Sequence, residues 1–289
     1  MGELRMFKTL NLGALGFKAS FHETVELAKT GGFQGLDLDI FEIEGVLKIQ
    51  SVKDIKDTLR RNKLRLGGWW LPVDFRKDDV TFQKDLDNLP RLAEMASTLE
   101  CLRVSTWIMP FSDTLPFKEH FELHAVRIRE VANVLDDYGC VLGLEFVGPK
   151  TSRVKGKYEF IHTMDGILKL REVMKAKNVG LLLDCWHWYT SHATVDQIRQ
   201  LKGNEVVYVH VNDAPSGIKV DEQVDSVRRL PGETGVIDIV GFLKALKQIG
   251  YDGPVTPEPF DKSLTKMSVQ EAVKKAGEAM KKIWNQAKI

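Results

Sequence analysis

Short apolar runs rich in β-branched residues alternate with amphipathic stretches of helical length along the whole sequence. A short apolar run is typical of a buried strand, and an apolar period of about 3.6 residues is typical of a helix that faces a core. Eight such pairs fill 289 residues, and about 36 residues per pair is the size expected of a (β/α)8 barrel. The predicted strands cover residues 7–12, 35–40, 64–71, 101–108, 140–147, 179–184, 206–211 and 254–258.

The regular alternation predicts an α/β fold, a single (β/α)8 TIM barrel that forms one domain over residues 1–289. An open, doubly wound sheet of eight strands is the alternative. No linker, low-complexity tract or shift in composition divides the chain. Because domain boundaries usually fall in such segments, one domain is favoured over two.

Four predicted helices begin with a Ser or Thr that is followed three residues later by an acidic or amide side chain. This spacing is typical of a capping box, in which each side chain bonds the other residue's backbone N–H. The four pairs are Ser20 with Glu23, Ser51 with Asp54, Thr194 with Gln197 and Ser268 with Glu271. These are the firmest helix starts in the sequence.

Three predicted connections are longer than the usual loop of about 4 to 6 residues. They cover residues 148–162, 185–193 and 212–238. Each follows the carboxyl end of a predicted strand, which is the end that carries the active site in barrels of this type. We therefore expect function to reside in these three loops and the strand ends before them.

Acidic and basic side chains are almost balanced, with 41 Lys and Arg against 40 Asp and Glu and a formal net charge of +1. Such a chain has no excess of positive charge to neutralise phosphates, so we expect no nucleic-acid partner. It contains no apolar run as long as a membrane span and no N-terminal secretory pattern, which predicts no membrane partner and a cytoplasmic location. The three cysteines, Cys101, Cys140 and Cys185, are predicted to be free and buried.

Four ionisable residues stand at the ends of consecutive predicted strands in the second half of the chain: Glu145, Asp184, His210 and Glu258. Their strand neighbours are mostly apolar. Because side chains alternate between the two faces of a strand, the apolar neighbours face the helices and the polar residue faces the barrel axis. The four side chains are therefore predicted to converge on one small volume.

Three carboxylates that share such a volume repel one another, and each raises the pKa of the others. A divalent cation bound by all four side chains would remove this conflict. Oxygen-rich ligation with one imidazole suits Mn²⁺, Mg²⁺ or Co²⁺ better than a structural zinc site. We predict one divalent metal ion, preferably Mn²⁺, held by Glu145, Asp184, His210 and Glu258.

These strand ends resemble those of the xylose-isomerase-like barrel superfamily, which contains sugar isomerases, epimerases and inosose dehydratases. The resemblance extends over essentially the whole chain. It rests on Gly143-Leu144-Glu145, Asp184-Cys185-Trp186-His187, Val209-His210-Val211-Asn212-Asp213, Leu230-Pro231-Gly232-Glu233, and Gly250-Tyr251-Asp252-Gly253-Pro254 with Glu258.

The resemblance implies that Glu145 and Glu258 transfer protons as well as bind the metal, and that His187 contacts substrate oxygens. It implies an enzyme, a metal-dependent sugar isomerase or epimerase that acts on a ketose or related polyol ketone. One glutamate would remove the proton beside the carbonyl, giving an enediolate stabilised by the metal, and the other would return a proton. The alternative is an inosose-dehydratase-like or 3-keto-sugar lyase with the same metal site.

The segment after His210 departs from the 3-epimerase pattern, because Asn212-Asp213-Ala214-Pro215 replaces a Gly-Glu-rich segment with a substrate-binding arginine. Lys219, Arg228 or Arg229 is the candidate substitute. Lys219 is predicted to contact the substrate.

Two further substrate contacts are predicted, Trp107 as a wall of the sugar pocket and Asp39 as a ligand of a sugar hydroxyl. The alternative for Asp39 is a cap of the following helix. We expect a small-molecule sugar or polyol substrate, and the family implies a homodimer or homotetramer.

Two other interpretations are disfavoured. His120 and His124 are four residues apart, but Glu122 is in the wrong place for a His-Glu-x-x-His zinc motif, so we predict a solvated helix face. The related DNA-repair endonuclease needs histidines where this chain offers Asp39 and Trp70. A barrel that only binds a ligand remains a third class of protein, and the complete set of predicted metal ligands argues against it.

Overall fold

Eight parallel strands close into a barrel in the computed structural model, which describes residues 6–289. The strands are β1 Phe7–Leu10, β2 Gly35–Leu38, β3 Arg65–Trp70, β4 Arg103–Ile108, β5 Phe111–Ser112, β6 Val141–Phe146, β7 Tyr158–Glu159, β8 Val179–Asp184, β9 Val206–Val211 and β10 Pro254–Pro257. Around the barrel they follow the order β1, β10, β9, β8, β6, β4, β3, β2, and β5 pairs with β7 in a separate two-stranded sheet. The prediction of a single (β/α)8 TIM barrel is confirmed.

Helices follow the barrel strands and form the outer layer. The α-helices are α1 Phe21–Thr30, α2 Ile40–Val46, α3 Val52–Arg61, α4 Asp79–Thr98, α5 Phe117–Asp136, α6 Lys150–Arg153, α7 Met164–Met174, α8 Cys185–Thr190, α9 Val195–Arg199, α10 Ile239–Gln248 and α11 Val269–Ala287. All four predicted capping boxes are present, at the starts of α1, α3, α9 and α11. The three cysteines are free and buried, as predicted.

The predicted secondary structure is wrong in the long connection over residues 185–193, where most of the segment is helix α8. The side chain of Asp184 caps this helix by accepting a hydrogen bond from the Trp186 N–H at 2.7 Å. Trp186 and Trp188, which belong to the helix, are buried. The connection over 148–162 holds α6 and β7. Predicted strands also extend past some observed ends, for example at Asp39, because a cap residue continues the extended backbone of the strand.

No helix in the described part of the chain has both the length and the apolar content needed to cross a membrane. Residues 1–5, the start of the segment predicted to lack a secretory pattern, lie outside the described residues.

Helices α1 and α11 pack closely at a point where neither Gly277 of α11 nor Gly31, the residue that follows α1, carries a side chain. A Cβ atom on Gly277 would collide with the carbonyl oxygen of Gly31. Helix α11 also lies against the core through Val273 and Ala276, and α1 does so through Ala28, all of which are fully buried. This contact joins the N-terminal and C-terminal ends of the barrel's helical layer.

The middle of the barrel interior is polar, although most of its wall is apolar. Asp37 on β2 accepts hydrogen bonds from the Tyr208 hydroxyl at 2.6 and 2.7 Å and from Asn11 Nδ2 at 3.1 Å. Burial raises the pKa of Asp37 to about 7, although its hydrogen bond from Tyr208 acts in the opposite direction. Gly67 leaves the space that the Asp37 carboxyl occupies. This partly buried acid was not among the predicted site residues.

We expect Gly277→Ala to lower the free energy of unfolding by about 1–3 kcal/mol, because the added methyl group overpacks the contact with Gly31. Gly45→Ala is the matched control. Gly45 lies in helix α2, and a Cβ there would meet no atom within 4 Å, so the better helix propensity of alanine should raise stability slightly. Urea unfolding of both variants measures the effect, and equal behaviour of the two would contradict close packing at Gly277.

The pKa of Asp37 predicts a pH-dependent stability. The carboxyl binds its proton more tightly when folded, with a pKa of about 7, than at its ordinary value of 3.8. The contribution of this carboxyl to the free energy of unfolding is therefore fully present below about pH 4 and is lost as the pH rises towards 7.

Urea unfolding of the metal-free wild type and of Asp37→Asn at about pH 5 and about pH 8 measures this effect. Between these two pH values the free energy of unfolding of wild type should fall by on the order of 2 kcal/mol more than that of the variant. Asp136→Asn, at the exposed end of α5, should behave like wild type. Parallel pH dependence in wild type and Asp37→Asn would show that Asp37 is ionised throughout this range.

Candidate metal centre and active-site cavity

Four side chains meet at the carboxyl ends of neighbouring strands. Glu145 is the last residue but one of β6, Asp184 ends β8, His210 lies on β9 and Glu258 follows β10, and these strands are consecutive in the barrel. Each residue offers one ligand atom, and the four atoms all lie within 4.8 Å of one another. The predicted convergence is therefore present in the structure.

Charge within this cluster is highly concentrated. His210 Nδ1 lies 3.3 Å from Glu145 Oε1 and 3.4 Å from Glu258 Oε2. Burial by itself would lower the pKa of His210, but the two carboxylates raise it well above its ordinary value. Burial raises the pKa of Glu145. Burial also acts to raise the pKa of Glu258, yet His210 and Arg228 lower it to about 2.

Arg228 supplies the second positive charge of the cluster. Its Nη1 atom lies 2.8 Å from Asp184 Oδ2 and 2.8 Å from Glu258 Oε2, and its Nη2 atom lies 2.8 Å from Asp225 Oδ1. The side chain is only 1% exposed. A guanidinium suits this position because its fixed fork of N–H donors reaches several carboxylates at once and stays charged when buried.

The donor set fits a divalent cation. It comprises three carboxylates and one imidazole, with at least nine-tenths of the surface of Glu145, Asp184 and His210 removed from solvent. Asp184 Oδ1 is held by the Trp186 N–H at 2.7 Å and by Asn212 Nδ2 at 3.0 Å. Such outer hydrogen bonds fix the orientation of a ligating carboxylate. The cluster is therefore a possible site for a divalent metal ion.

His187 lies beside this cluster on helix α8 and is 2% exposed. Its Nδ1 atom accepts a hydrogen bond from the Gly148 N–H at 3.2 Å. Its Nε2 atom lies 3.3 Å from Arg228 Nη2. The predicted role of His187 in binding substrate oxygens remains a prediction, and its position next to the possible metal site is compatible with it.

A cavity of about 520 Å³ opens onto the cluster. Its size falls in the range of small-molecule sites. Glu145, His187 and Glu258 line it together with Arg228. Its other walls are largely apolar and include Trp70, Trp107, Met109, Phe111, Val147 and Phe260. The structure places Trp107 on the wall of this cavity, and its predicted contact with a sugar remains a prediction.

The other two predicted substrate residues lie elsewhere. Lys219 does not line this cavity; its side chain is 85% exposed and lies 3.8 Å from Glu222. Asp39 caps helix α2, with Oδ1 accepting hydrogen bonds from the N–H groups of Phe41 and Glu42 at 3.1 and 3.2 Å. Among the three cations considered for the loop after His210, Arg228 is the one at the cluster. Lys219 is excluded from the cluster because it lies on the solvent side of that loop.

Asp213 organises the loop that carries Arg228. Its Oδ1 atom accepts hydrogen bonds from the N–H groups of Ala214 and Ile237, and its Oδ2 atom accepts those of Thr234 and Gly235, all at 2.7–3.0 Å. Its backbone also pairs with that of Arg229. Sequence reasoning did not assign this role. The signal in the sequence was an acidic residue just after a predicted strand, at the start of a loop that contains several glycines.

The prediction that His120 and His124 lie on a solvated helix face is wrong for His124, which is 1% exposed. Its ring packs against Phe160 and Phe75, with centroids 4.9 and 5.6 Å away. Burial lowers its pKa to about 3. The start of α5 is covered by the connection that follows β6, and the sequence does not reveal that contact.

Two solved structures share the whole fold with this chain. The structure of a xylose isomerase domain protein from Alicyclobacillus acidocaldarius has a TM-score of 0.87 and 28% sequence identity, covering 98% of this chain and 100% of that one. The IOLI protein, solved with a bound zinc atom, has a TM-score of 0.80 and 20% identity, covering 98% and 99% of the two chains. The second likeness concerns the fold alone.

A curated relative extends the comparison to sequence. The inosose isomerase of Bacillus velezensis is 23% identical over 265 residues, which cover 90% of each protein. Residues 25–283 match a family model described as the xylose isomerase-like TIM barrel. The predicted resemblance is confirmed, and it supports the prediction of an enzyme. The chain belongs to the xylose isomerase-like TIM barrel family.

Proposed function

We propose that the protein is a divalent-metal-dependent isomerase or epimerase that acts on a ketose or related polyol ketone, such as an inosose. One observation carries this proposal: the four potential ligand atoms lie within 4.8 Å of one another, and both glutamates of the set line the same cavity. Two acidic groups beside one cation site can remove a proton from the carbon next to a carbonyl and return a proton to the product. The inosose isomerase relative supports the substrate class.

Mn²⁺ is the proposed metal, with Mg²⁺ and Co²⁺ as alternatives, because the donor set is rich in oxygen and contains one imidazole. The bound zinc of the IOLI protein shows that a barrel of this fold can also hold zinc. When bound, the cation would act as a Lewis acid and as a template that orients a carbonyl and its neighbouring hydroxyl.

Glu145 and Glu258 reach the cavity from strands that are separated by β8 and β9. In the proposed reaction one glutamate removes the proton from the carbon beside the carbonyl, and the other returns a proton to the neighbouring position or the opposite face. Removal gives an enediolate, whose negative charge the cluster must stabilise. Arg228 and His187, which line the same cavity, are proposed to hold substrate oxygens during this step.

A dehydratase that acts on an inosose or 3-keto sugar is the second candidate. It begins with the same proton removal but then expels a hydroxyl group from the next carbon. The observation that favours it is the segment after His210, where Asn212 and Asp213 bond to Asp184 and to the loop backbone instead of providing the expected epimerase pattern. Detection of a new epimer or isomer, or of an unsaturated product, separates the two reactions.

Three further properties belong to this proposal. The substrate is a small-molecule sugar or polyol, the protein acts in the cytoplasm, and it assembles as a homodimer or homotetramer.

Glu145→Gln and Glu258→Gln should each lower kcat by about 10²- to 10⁴-fold, because each removes a group that takes or gives a proton. Steady-state assays on inososes and ketoses measure the change. Glu100→Gln is the control, because Glu100 is an exposed residue that pairs with Lys56 at the opposite end of the barrel. Near-normal turnover in both Glu145→Gln and Glu258→Gln would contradict the proposed reaction.

Added divalent cation should raise the melting temperature of metal-stripped protein, since a ligand at about 100 times its Kd stabilises the folded state by about 2.7 kcal/mol. Thermal unfolding with Mn²⁺, Mg²⁺, Co²⁺ and Zn²⁺ ranks the metals. Asp184→Asn should abolish most of the shift, whereas Asp196→Asn, an exposed residue paired with Arg199, should retain it. An identical shift in both variants would mean that the cation binds elsewhere.

A further inference from the structure

A second cavity opens beside the metal centre on the side of the barrel formed by β1, β2 and β3. Its volume is about 370 Å³. His210 forms part of its wall, and Trp70 lines both this cavity and the one described above. The two cavities therefore flank the same cluster of potential ligands and are divided by one tryptophan. Neither Glu145 nor Glu258 lines the second cavity.

Hydrogen-bonding side chains line part of this cavity, among them Asn11, Asp37, Ser105 and Tyr208. Asn11 and Tyr208 both donate hydrogen bonds to Asp37, which holds these three side chains in place. Apolar side chains such as Phe17, Phe41 and Pro72 also line the cavity.

Unlike Asn11, Asp37 and Tyr208, Ser105 has a hydroxyl with no hydrogen-bond partner among the described residues. The residue is 6% exposed. A buried polar group without a partner destabilises the folded state, and a bound water or ligand is one common partner for such a group. The Ser105 hydroxyl lies on the wall of a cavity large enough for a small molecule.

A sugar ring matches this combination of surfaces. Its hydroxyl groups need donors and acceptors, and its faces of C–H groups pack on aromatic side chains. Trp70 is 44% exposed and offers such a face, because an indole combines a large apolar surface with a rigid shape. Three carboxyl groups, those of Asp37, Asp39 and Glu42, line this cavity together with a single lysine, Lys18, and this excess of acidic groups disfavours a phosphate or carboxylate ligand.

We propose that the second cavity binds a second hydroxylated ring of the substrate, so that the substrate is a glycoside or disaccharide-like ketone that extends past Trp70. The inference rests on the proposed function only for the statement that the first ring reacts at the metal centre. Binding of a ring in the second cavity is independent of catalysis. Ser105 contributes one hydrogen bond to this ring and Trp70 contributes its face.

The test uses metal-stripped protein, so that no reaction takes place, with methyl β-glucoside and cellobiose as probes and saturation-transfer NMR as the measurement. Both probes should bind. Ser105→Ala should weaken binding by about two- to ten-fold, the effect of losing one hydrogen bond, without lowering the free energy of unfolding. Ala19→Trp should abolish binding, because Ala19 lines the cavity and the larger side chain fills it.

Two matched variants serve as controls. Thr106→Val also removes a buried hydroxyl without a partner from β4, but the Thr106 side chain lies on the opposite face of the strand and lines neither cavity. Ile49→Trp adds a tryptophan at a residue that is 81% exposed and outside the cavity. Both should bind the probes as wild type does.

The outcomes separate this inference from the proposed function. Absence of probe binding, or binding that Ser105→Ala and Ala19→Trp leave unaltered, would overturn the second subsite whatever the enzyme's activity. Probe binding that these two substitutions weaken, and that their controls leave unchanged, would support the subsite. If no inosose or ketose were turned over in that case, the absence of turnover would count against the proposed function alone.

Discussion

Three carboxylates at the ends of separate strands, two of them buried and the third partly buried, lie within a few ångströms of one another, and the surrounding structure depends on how their charge is balanced. Moving a carboxylate out of water without compensation costs several kcal/mol. His210 and Arg228 supply positive charge within 3.4 Å of the acids. Arg228 is not on a strand of the barrel, so a long loop must deliver it. Asp213 holds that loop by accepting four backbone hydrogen bonds.

The parts of this architecture that depend on periodicity could be predicted from the sequence. Alternation of apolar runs and amphipathic stretches identified the eight barrel strands, because each strand must bury a face and each helix a stripe. The convergence of Glu145, Asp184, His210 and Glu258 followed from the same rule, since residues at the ends of adjacent parallel strands are neighbours in any closed barrel. Local capping signals were equally informative, because a cap acts within a few residues.

The parts that depend on long-range contacts could not be predicted. The sequence does not distinguish Arg228, Arg229 and Lys219 as candidates for the cation beside the cluster. Only the fold of the loop buries Arg228 and leaves Lys219 exposed to solvent. The polar interior around Asp37 depends on Tyr208, which lies 171 residues away in the chain. His124 is buried by the connection that contains Phe160. In each case the partner comes from a different βα unit, and no local pattern specifies which partner it will be.

Arg228 Nη1 contacts two of the carboxylates that would hold a metal ion, at Oδ2 of Asp184 and Oε2 of Glu258. A cation that bound through either of these oxygens would weaken the ion pair at that oxygen. Metal affinity and the position of the loop over residues 212–238 would then be thermodynamically linked, and each would influence the other by the same free energy. In that case the ion pairs of the loop would compete with the cation, and their strength would help to set the metal concentration at which the site fills.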